Sequence, residues 1–189
     1  MNIIKNIFSF SREKKTAHKL YKVIVKQARE PVFYENCGVA DTFDGRFDMV
    51  SLHMILIIRR MKRDIDQTRD LSQALFDYMF DDIDLNLREL GIGEMGVLTR
   101  VKKMTKAFYG RLESYDQGLN LENDVQLSAA LERNLYREND VNDTNLRAIT
   151  AYTRQQSLYL DDVGINSLLA GELEFRPPPV TEMKAENEY

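Results

Sequence analysis

Residues 41–93, which read DTFDGRFDMVSLHMILIIRRMKRDIDQTRDLSQALFDYMFDDIDLNLRELGIG, decide the fold of this chain. Their first half, from Phe47 to Met61, is apolar on nearly every helical face, with eight apolar residues among the ten from Met49 to Ile58. Such a pattern predicts a helix that is surrounded by other helices. The segment is too short to span a bilayer, because a span needs about 20 apolar residues.

A second, amphipathic helix is predicted directly after the first. Its apolar residues recur every three or four positions, which is the spacing of a core-facing stripe. They are Leu71, Leu75, Met79, Ile83, Leu87 and Leu90. Glycines at 91 and 93 end this pattern. Similar repeats occur over 20–29, 97–115, 121–137 and 146–163. The chain is therefore predicted to be all-α, a single-domain multi-helix bundle of about six to seven helices with a central buried helix.

Composition and motifs limit the classes of function. With 189 residues, 43% of them apolar and 30% charged, the chain has the composition of a soluble globular domain. A net charge of −4 argues against a protein whose whole surface binds nucleic acid. The lone Cys37 excludes an intramolecular disulfide. No phosphate-binding glycine loop, zinc-ligand spacing or hydrolase elbow is present, so we predict no enzyme, no cofactor and no metal site.

Three regions are predicted along the chain: a basic N-terminal arm over 1–19, a helical domain over 20–172 and a disordered C-terminal tail over 173–189. The tail is predicted because three consecutive prolines are followed by charged residues, which cannot form a packed core. The arm is either a frayed end or a short helix on a membrane surface. Its apolar residues on one helical face are Ile3, Ile4, Ile7 and Phe8.

Opposite charges occur on two consecutive predicted helices. Asp77, Asp81 and Asp84 share one helical face, either as a solvated face or as an acidic strip that docks a basic partner. The next helix has no acid between Glu94 and Glu113. Its basic residues either pair with the acidic strip or form an exposed patch for RNA, the ribosome or anionic lipid. These basic residues are Arg100, Lys102, Lys103, Lys106 and Arg111.

A longer pattern is carried by residues 21–34 (YKVIVKQAREPVFY), 38–49 (GVADTFDGRFDM), 71–97 (LSQALFDYMFDDIDLNLRELGIGEMGV) and 102–111 (KKMTKAFYGR). Together these segments resemble the ubiquinol-cytochrome c chaperone family, closely from about Leu20 to Tyr115 and loosely beyond. The resemblance implies a non-enzymatic assembly factor for the cytochrome bc complex that binds newly made cytochrome b or another subunit of that complex. The family pattern begins near residue 20, without the long N-terminal extension of mitochondrial members. This implies a bacterial, cytoplasmic member, with peripheral contact to the inner membrane through the N-terminus as a further expectation.

Client binding is expected in an apolar groove, because a membrane-protein helix that waits for its partners exposes apolar surface. Aromatic and methionine side chains make adaptable contacts of this kind. The predicted client- or partner-binding residues are Phe33, Tyr34, Phe43, Arg46, Phe47, Met79 and Phe80. The alternative interpretation is that Phe47, Phe76 and Phe80 are core residues.

Charged residues inside these apolar motifs should be paired, because an unpaired buried ion costs several kcal/mol. Arg46 and Asp48, and likewise Arg29 and Asp41, are expected to pair with each other or with the acidic helix. The alternative function is an RNA- or ribosome-binding adaptor that uses the basic helix from Arg100 to Arg111.

Overall fold

The computed structural model describes residues 2–137 and 140–179, and it describes side chains from Arg12 onward. Over these residues the chain forms eight α-helices and a π-helical turn, with no strand. The helices are α1 (Asn2–Ala28), α2 (Val32–Glu35), α3 (Phe43–Lys62), α4 (Ile65–Glu89), α5 (Glu94–Leu119), α6 (Val125–Leu131), α7 (Asp143–Asp161) and α8 (Ile165–Ala170). The π-helical turn, Glu132–Tyr136, follows α6 directly.

The centre of the bundle is α3, of whose 20 residues 13 are buried. It contacts α1, α4, α5 and α7. Thr42 begins the helix, because its hydroxyl accepts a hydrogen bond from the Gly45 backbone N–H at 3.1 Å. The predicted all-α bundle with a central buried helix is confirmed.

Two long helices, α4 and α5, bury most of the stripes that the sequence predicts, although Val101 and Leu112 on α5 are only partly buried. Five of the six stripe residues on α4 are buried, but Leu90 is 62% exposed. Leu90 follows the last turn of α4, where the chain leaves the bundle, and so the core stripe ends at Leu87. The pattern over 121–137 is also interrupted, because α6 begins only at Val125, which is 73% exposed.

The two ends of the helical domain differ from the predicted boundaries. The boundary after Lys19 falls inside α1, where Thr16 and Ala17 are already buried. The side chains of the apolar face from Ile3 to Phe8 lie outside those described. At the other end, Leu173 is buried and the amide of Gln156 bonds both the N–H and the carbonyl of Arg176. The packed chain therefore continues to at least residue 176, because Gln156 satisfies its backbone.

A buried hydrogen-bond chain joins α1, α7 and α3. Gln27 Nε2 donates to the Tyr152 hydroxyl at 2.9 Å, and that hydroxyl lies 2.8 Å from His53 Nε2. His53 Nδ1 lies 2.8 Å from the Met49 carbonyl oxygen, which can only accept, so Nδ1 carries the proton and Nε2 accepts from Tyr152. Complete burial lowers the pKa of His53 to about 4.

The first prediction concerns this histidine. Its pKa is about 4 in the folded state and 6.5 when unperturbed, so the unfolded state binds more protons between these values. The contribution of His53 to stability should therefore be complete above pH 6.5 and decrease as pH falls towards 4, by about 2 kcal/mol at pH 5. Urea unfolding at pH 7 and pH 5 measures this loss. His53→Gln should lose about 2 kcal/mol less between these pH values, and equal losses would contradict the assignment.

Candidate functional site

A groove of about 440 Å³ opens between the N-terminal turn of α3 and the facing sides of α1 and α4. We call it the α1–α3–α4 groove. Its apolar lining comes from all three helices, with Val25 from α1, Phe47 and Val50 from α3, and Ile83 from α4. The remaining lining residues are Tyr21, Arg29, Asp41, Thr42, Phe43, Arg46, Asp82, Asn86, Glu89 and Leu90. A concave, partly apolar surface with a few polar groups is typical of a binding site.

Several polar side chains in this groove have fixed partners. The Tyr21 hydroxyl donates to Asp82 Oδ2 at 2.8 Å. Burial, together with the neighbouring Asp82 carboxylate, raises the pKa of Tyr21 well above its ordinary value, so the hydroxyl keeps its proton and remains a donor. Arg46 Nε donates to Asp41 Oδ1 at 2.6 Å, and both side chains are more than half exposed. These pairs hold the groove wall in place, and its accessible apolar residues are Val25, Phe43, Val50 and Leu90.

The structure divides the predicted client-binding residues into two sets. Phe43, Arg46 and Phe47 line the groove, but Phe47 is only 7% exposed and is largely a core residue. Phe33 and Met79 are fully buried, and Phe80 is only 9% exposed, so these three belong to the core and offer little surface to a partner.

Tyr34 lies apart from both sets. It is half-buried, and its hydroxyl donates to the Ala28 carbonyl at 2.7 Å. This hydrogen bond ties α2 to the end of α1, which is a structural role.

Several groove residues were missed from the sequence. Val25 and Ile83 belong to helical stripes that the sequence assigned to the core, and Leu90 was the last residue of such a stripe. Periodicity identifies the inward face of a helix, but it does not identify the residues of that face that no neighbouring helix covers. The position of Leu90 directly before Gly91, at the end of the helical pattern, was the available sequence signal for the groove.

A second groove, of about 320 Å³, lies on the other side of the same α3 turn, between α3 and α5. Phe43 and Phe47 line both grooves. The second groove also has basic walls, because Arg100 and Lys103 of the predicted docking patch lie there with Arg137. Lys102 and Lys106 are exposed elsewhere on α5.

Arg111 is not part of that exposed patch. It is 6% exposed, and its Nη2 donates to Asp48 Oδ1 at 2.7 Å. Arg137 donates to the other oxygen of Asp48 at 2.8 and 3.1 Å, and to Asp44 at 3.2 Å. Burial raises the pKa of the fully buried Asp48 to about 6, and the two guanidinium groups oppose this shift. Asp48 thus pairs with Arg111 and Arg137, whereas the expected partner Arg46 pairs with Asp41.

The charged faces of α4 and α5 do not pair with each other, although the two helices are neighbours. The helices meet through aromatic rings, with Phe76 5.6 Å from Phe108. Asp77 accepts from Gln73 and Asp84 from Arg88, both on the same helix. Within the described part of the chain, no ion pair joins Arg100, Lys102, Lys103 or Lys106 to any acid. The internal-pairing interpretation of the basic face is therefore wrong.

Three further features bear on chemistry. Over the side chains described, no group of three His, Cys, Asp or Glu residues is placed to hold a metal ion. Burial raises the pKa of the Cys37 thiol to about 11, so it is protonated at neutral pH. No described helix is both long and apolar enough to cross a membrane.

Comparison with known proteins identifies the family. The family described as ubiquinol-cytochrome C chaperone matches residues 35–175. The chain is 28% identical over 162 residues to ubiquinol-cytochrome-c reductase complex assembly factor 1 of Xenopus laevis, which covers 85% of this chain and 80% of that protein. It is 28% identical over 153 residues to Protein CBP3, mitochondrial, of Saccharomyces cerevisiae, which covers 78% of this chain and 45% of that protein. The chain spans about half of the length of the human assembly factor 1, namely 54%.

The fold is shared with a solved structure. The crystal structure of the Cbp3 homolog from Brucella abortus superposes with a TM-score of 0.81 at 33% identity, covering 94% of this chain and 97% of that one. The family match includes α3, α4 and α5, which carry most of both grooves. The chain therefore belongs to the ubiquinol-cytochrome C chaperone family.

Proposed function

We propose that this protein is a non-enzymatic assembly chaperone of the cytochrome bc (ubiquinol-cytochrome c reductase) complex, and that its client is newly made cytochrome b. Family membership and the names of its relatives support the assembly role. The proposal places the protein in the bacterial cytoplasm, at the inner-membrane face where such a client would insert. Peripheral contact through the basic N-terminal residues is part of this proposal.

The observation that carries the proposal is the α1–α3–α4 groove. At about 440 Å³ it can hold a few side chains of a client helix rather than the whole helix. Its lining combines aliphatic side chains with the rings of Phe43 and Phe47. An amphipathic or apolar client helix would insert side chains spaced three or four residues apart, which is the helix-in-groove mode. Binding would cover apolar client surface, at about 25 cal/mol per Å², until the partner subunits replace the chaperone.

Loss of the gene tests the role itself. In its absence the membranes should contain less b-type and c-type haem of the cytochrome bc complex, measured by difference spectra. Normal cytochrome bc content in the deletion strain would contradict the proposed chaperone role.

The second prediction tests the groove. Phe43→Ser combined with Leu90→Ser should leave the fold intact, because Leu90 is 62% exposed and Phe43 is only partly buried. Binding of cytochrome b should weaken by about 10-fold or more, because at least one large apolar contact is lost. The measurement is the amount of cytochrome b that copurifies with the tagged protein. Leu158→Ser is the matched control, because Leu158 is 61% exposed and lies on α7 outside the groove. If the double variant copurified as much cytochrome b as the control does, the client would bind outside the groove.

The exposed basic side chains of α5 favour a second candidate function, an RNA- or ribosome-binding adaptor. Arg100, Lys102, Lys103 and Lys106 are all exposed, whereas Arg111 is committed to Asp48. Phosphate binding weakens steeply as salt rises, whereas apolar client capture does not. Co-sedimentation with translating ribosomes at low and high salt therefore separates the two functions.

A further inference from the structure

The second groove, of about 320 Å³, combines apolar and charged lining residues, and we call it the α3–α5 groove. Its apolar lining is formed by Phe43, Phe47, Met104 and Ala107. Phe43 and Ala107 are only partly buried, so they provide most of its accessible apolar surface. The other lining residues are all charged, namely Asp44, Arg100, Lys103, Arg111 and Arg137. Cations therefore outnumber acids in the described lining by four to one.

Two of these cations already have carboxylate partners. Arg111 and Arg137 share the buried carboxylate of Asp48, at 2.7 and 2.8 Å. Arg137 also lies 3.2 Å from Asp44, and both of these side chains are well exposed. Because exposed pairs of this kind contribute little to stability, Arg137 can exchange Asp44 for another carboxylate at small cost.

The other two cations, Arg100 and Lys103, are exposed. Within the described part of the chain, no ion pair joins either of them to an acid. They lie three residues apart on α5, so they share one face of the helix. The exposed acids of this helix, Glu94 and Glu113, are not part of the groove lining. Four cations against the carboxylates of two aspartates leave the groove with a positive charge that no described residue balances.

Hydrogen-bond donors are also in excess at the end of the groove that Arg111 and Arg137 form. Arg111 is 6% exposed, yet its Nε has no hydrogen-bond partner. Arg137 directly follows the π-helical turn and has a φ of 55°, which no other non-glycine residue in the described ranges shares in sign. Such a backbone conformation is uncommon for a residue with a side chain, and it often occurs at binding sites. Both observations indicate a place for an acceptor group from outside the chain.

We propose that the α3–α5 groove binds an acidic peptide segment of a partner protein. Carboxylates of the segment pair with Arg100, Lys103 and Arg137. A large apolar side chain between these carboxylates packs on Phe43 and Ala107. The proposal goes beyond the assembly role and does not depend on it, because its test contains no component of the cytochrome bc complex.

The size of the groove fits a short segment. From Arg100 to Arg111 the lining follows α5 for about 16 Å, at 1.5 Å per residue. An extended peptide covers this length with about five residues. A volume of about 320 Å³ accommodates one or two large side chains rather than a whole helix.

Charge and shape both favour a peptide over nucleic acid or a membrane. A nucleic-acid site commonly contacts about 6–10 phosphates, whereas this groove offers two unpaired cations. A flat anionic membrane does not enter a concave site, and the net charge of −4 on the whole chain would repel it.

The test is the fluorescence anisotropy of a labelled synthetic peptide titrated with the full chain. The acidic probe has one phenylalanine with three glutamates on each side, and it should saturate with a Kd below about 100 μM. A second probe has glutamine in place of every glutamate, and a third has alanine in place of phenylalanine. Each should bind about 10-fold more weakly or worse, because one of the two kinds of contact is lost. No saturation by the acidic probe, or equal binding of the glutamine probe, would overturn the proposal.

Variants of α5 locate the binding site. Arg100→Gln combined with Lys103→Gln should weaken binding of the acidic probe by about 10-fold, because both unpaired cations are lost. Ala107→Glu should weaken it at least as much, because it places a carboxylate in the groove lining. Lys102→Gln combined with Lys106→Gln is the matched control, since it removes the same charge from the same helix outside the lining. The control should bind within about 2-fold of the wild type, because distant exposed charges are screened. Equal losses in the control and the groove variants would show unspecific attraction and overturn the proposal.

Other occupants of the groove give different results, each of which would overturn the proposal. Residues 181–189 of this chain contain three glutamates and one lysine. If a chain that ends at Val180 bound the probe about 10-fold more tightly, the chain's own C-terminal residues would occupy the groove. If light scattering showed a dimer that Arg100→Gln with Lys103→Gln dissociates, a second copy would occupy it. If oligouridylate displaced the acidic probe as well as unlabelled peptide does, the groove would bind phosphate. Circular dichroism of each variant establishes that its helices are intact.

Discussion

Replacing Arg111 with methionine is expected to lower the free energy of unfolding by about 3 kcal/mol or more, because it leaves the buried Asp48 with half of its partners. Asp48 is 0% exposed and loses the 2.7 Å bond from Arg111 Nη2. Its remaining partner, Arg137, is 44% exposed and is held against it by the turn after the π-helical segment. Urea unfolding measures the change at pH 7.5, where Asp48 is charged in the native protein.

The control for this prediction is Arg46→Met. The Arg46–Asp41 pair is the same chemistry on the surface, with 57% and 55% of the side chains exposed. Its loss should change stability by less than about 1 kcal/mol. The double variant Asp48→Leu/Arg111→Met should recover part of the loss, because it removes the unpaired charge together with its partner. Equal effects of Arg111→Met and Arg46→Met would contradict a structural role for the buried cluster.

The helical architecture could be predicted from the sequence because the apolar residues repeat with the period of a helix. The all-round apolar segment in α3 has no other stable environment than the centre of a bundle, and α4 and α5 each present a single apolar stripe. These patterns are local, so each helix can be recognised from its own residues.

The charge network could be predicted only in outline. When charged residues lie in an apolar motif, their burial implies that they are paired. It does not identify the residues with which they pair. Asp48 and Arg111 lie 63 positions apart, and Arg137 lies 89 positions from Asp48. Sequence proximity favoured Arg46 for Asp48, and the basic pattern of α5 placed Arg111 with its exposed neighbours. The face of that helix on which a side chain lies decides between burial and exposure, as Lys106 and Arg111, five residues apart, show.

The candidate groove could not be predicted as a unit. Its lining extends from Tyr21 to Leu90 and depends on how far α1 and α4 stand from the α3 turn. Phe43 was recognisable as an adaptable contact, but so were Phe33, Phe47 and Phe80, which the structure buries. Residue type alone does not separate a groove wall from a core, because both are apolar.

Gly45→Ala is expected to lower the free energy of unfolding by about 3 kcal/mol, because there is no room for a methyl group in the first turn of α3. A Cβ at Gly45 would lie 1.9 Å from the Ala40 carbonyl oxygen, which is backbone and cannot turn away as a side chain would. The segment from Ala40 to Thr42 would have to move, and the hydrogen bond from the Gly45 N–H to Thr42 at 3.1 Å would weaken. Loss of such a cap costs about 1 kcal/mol of the total.

The same change should reach the groove, since Asp41 and Thr42 are part of its lining. Gly110→Ala is the control, and it should change the free energy of unfolding in the opposite direction. Gly110 is exposed on α5 and a Cβ there meets nothing within 4 Å, so alanine should stabilise the helix by about 0.5–1 kcal/mol. Thermal and urea unfolding of both variants, with copurified cytochrome b as a second readout, measure stability and groove separately. If Gly45→Ala were as stable as Gly110→Ala, the close approach of Ala40 to the α3 turn would be wrong, and the groove wall with it.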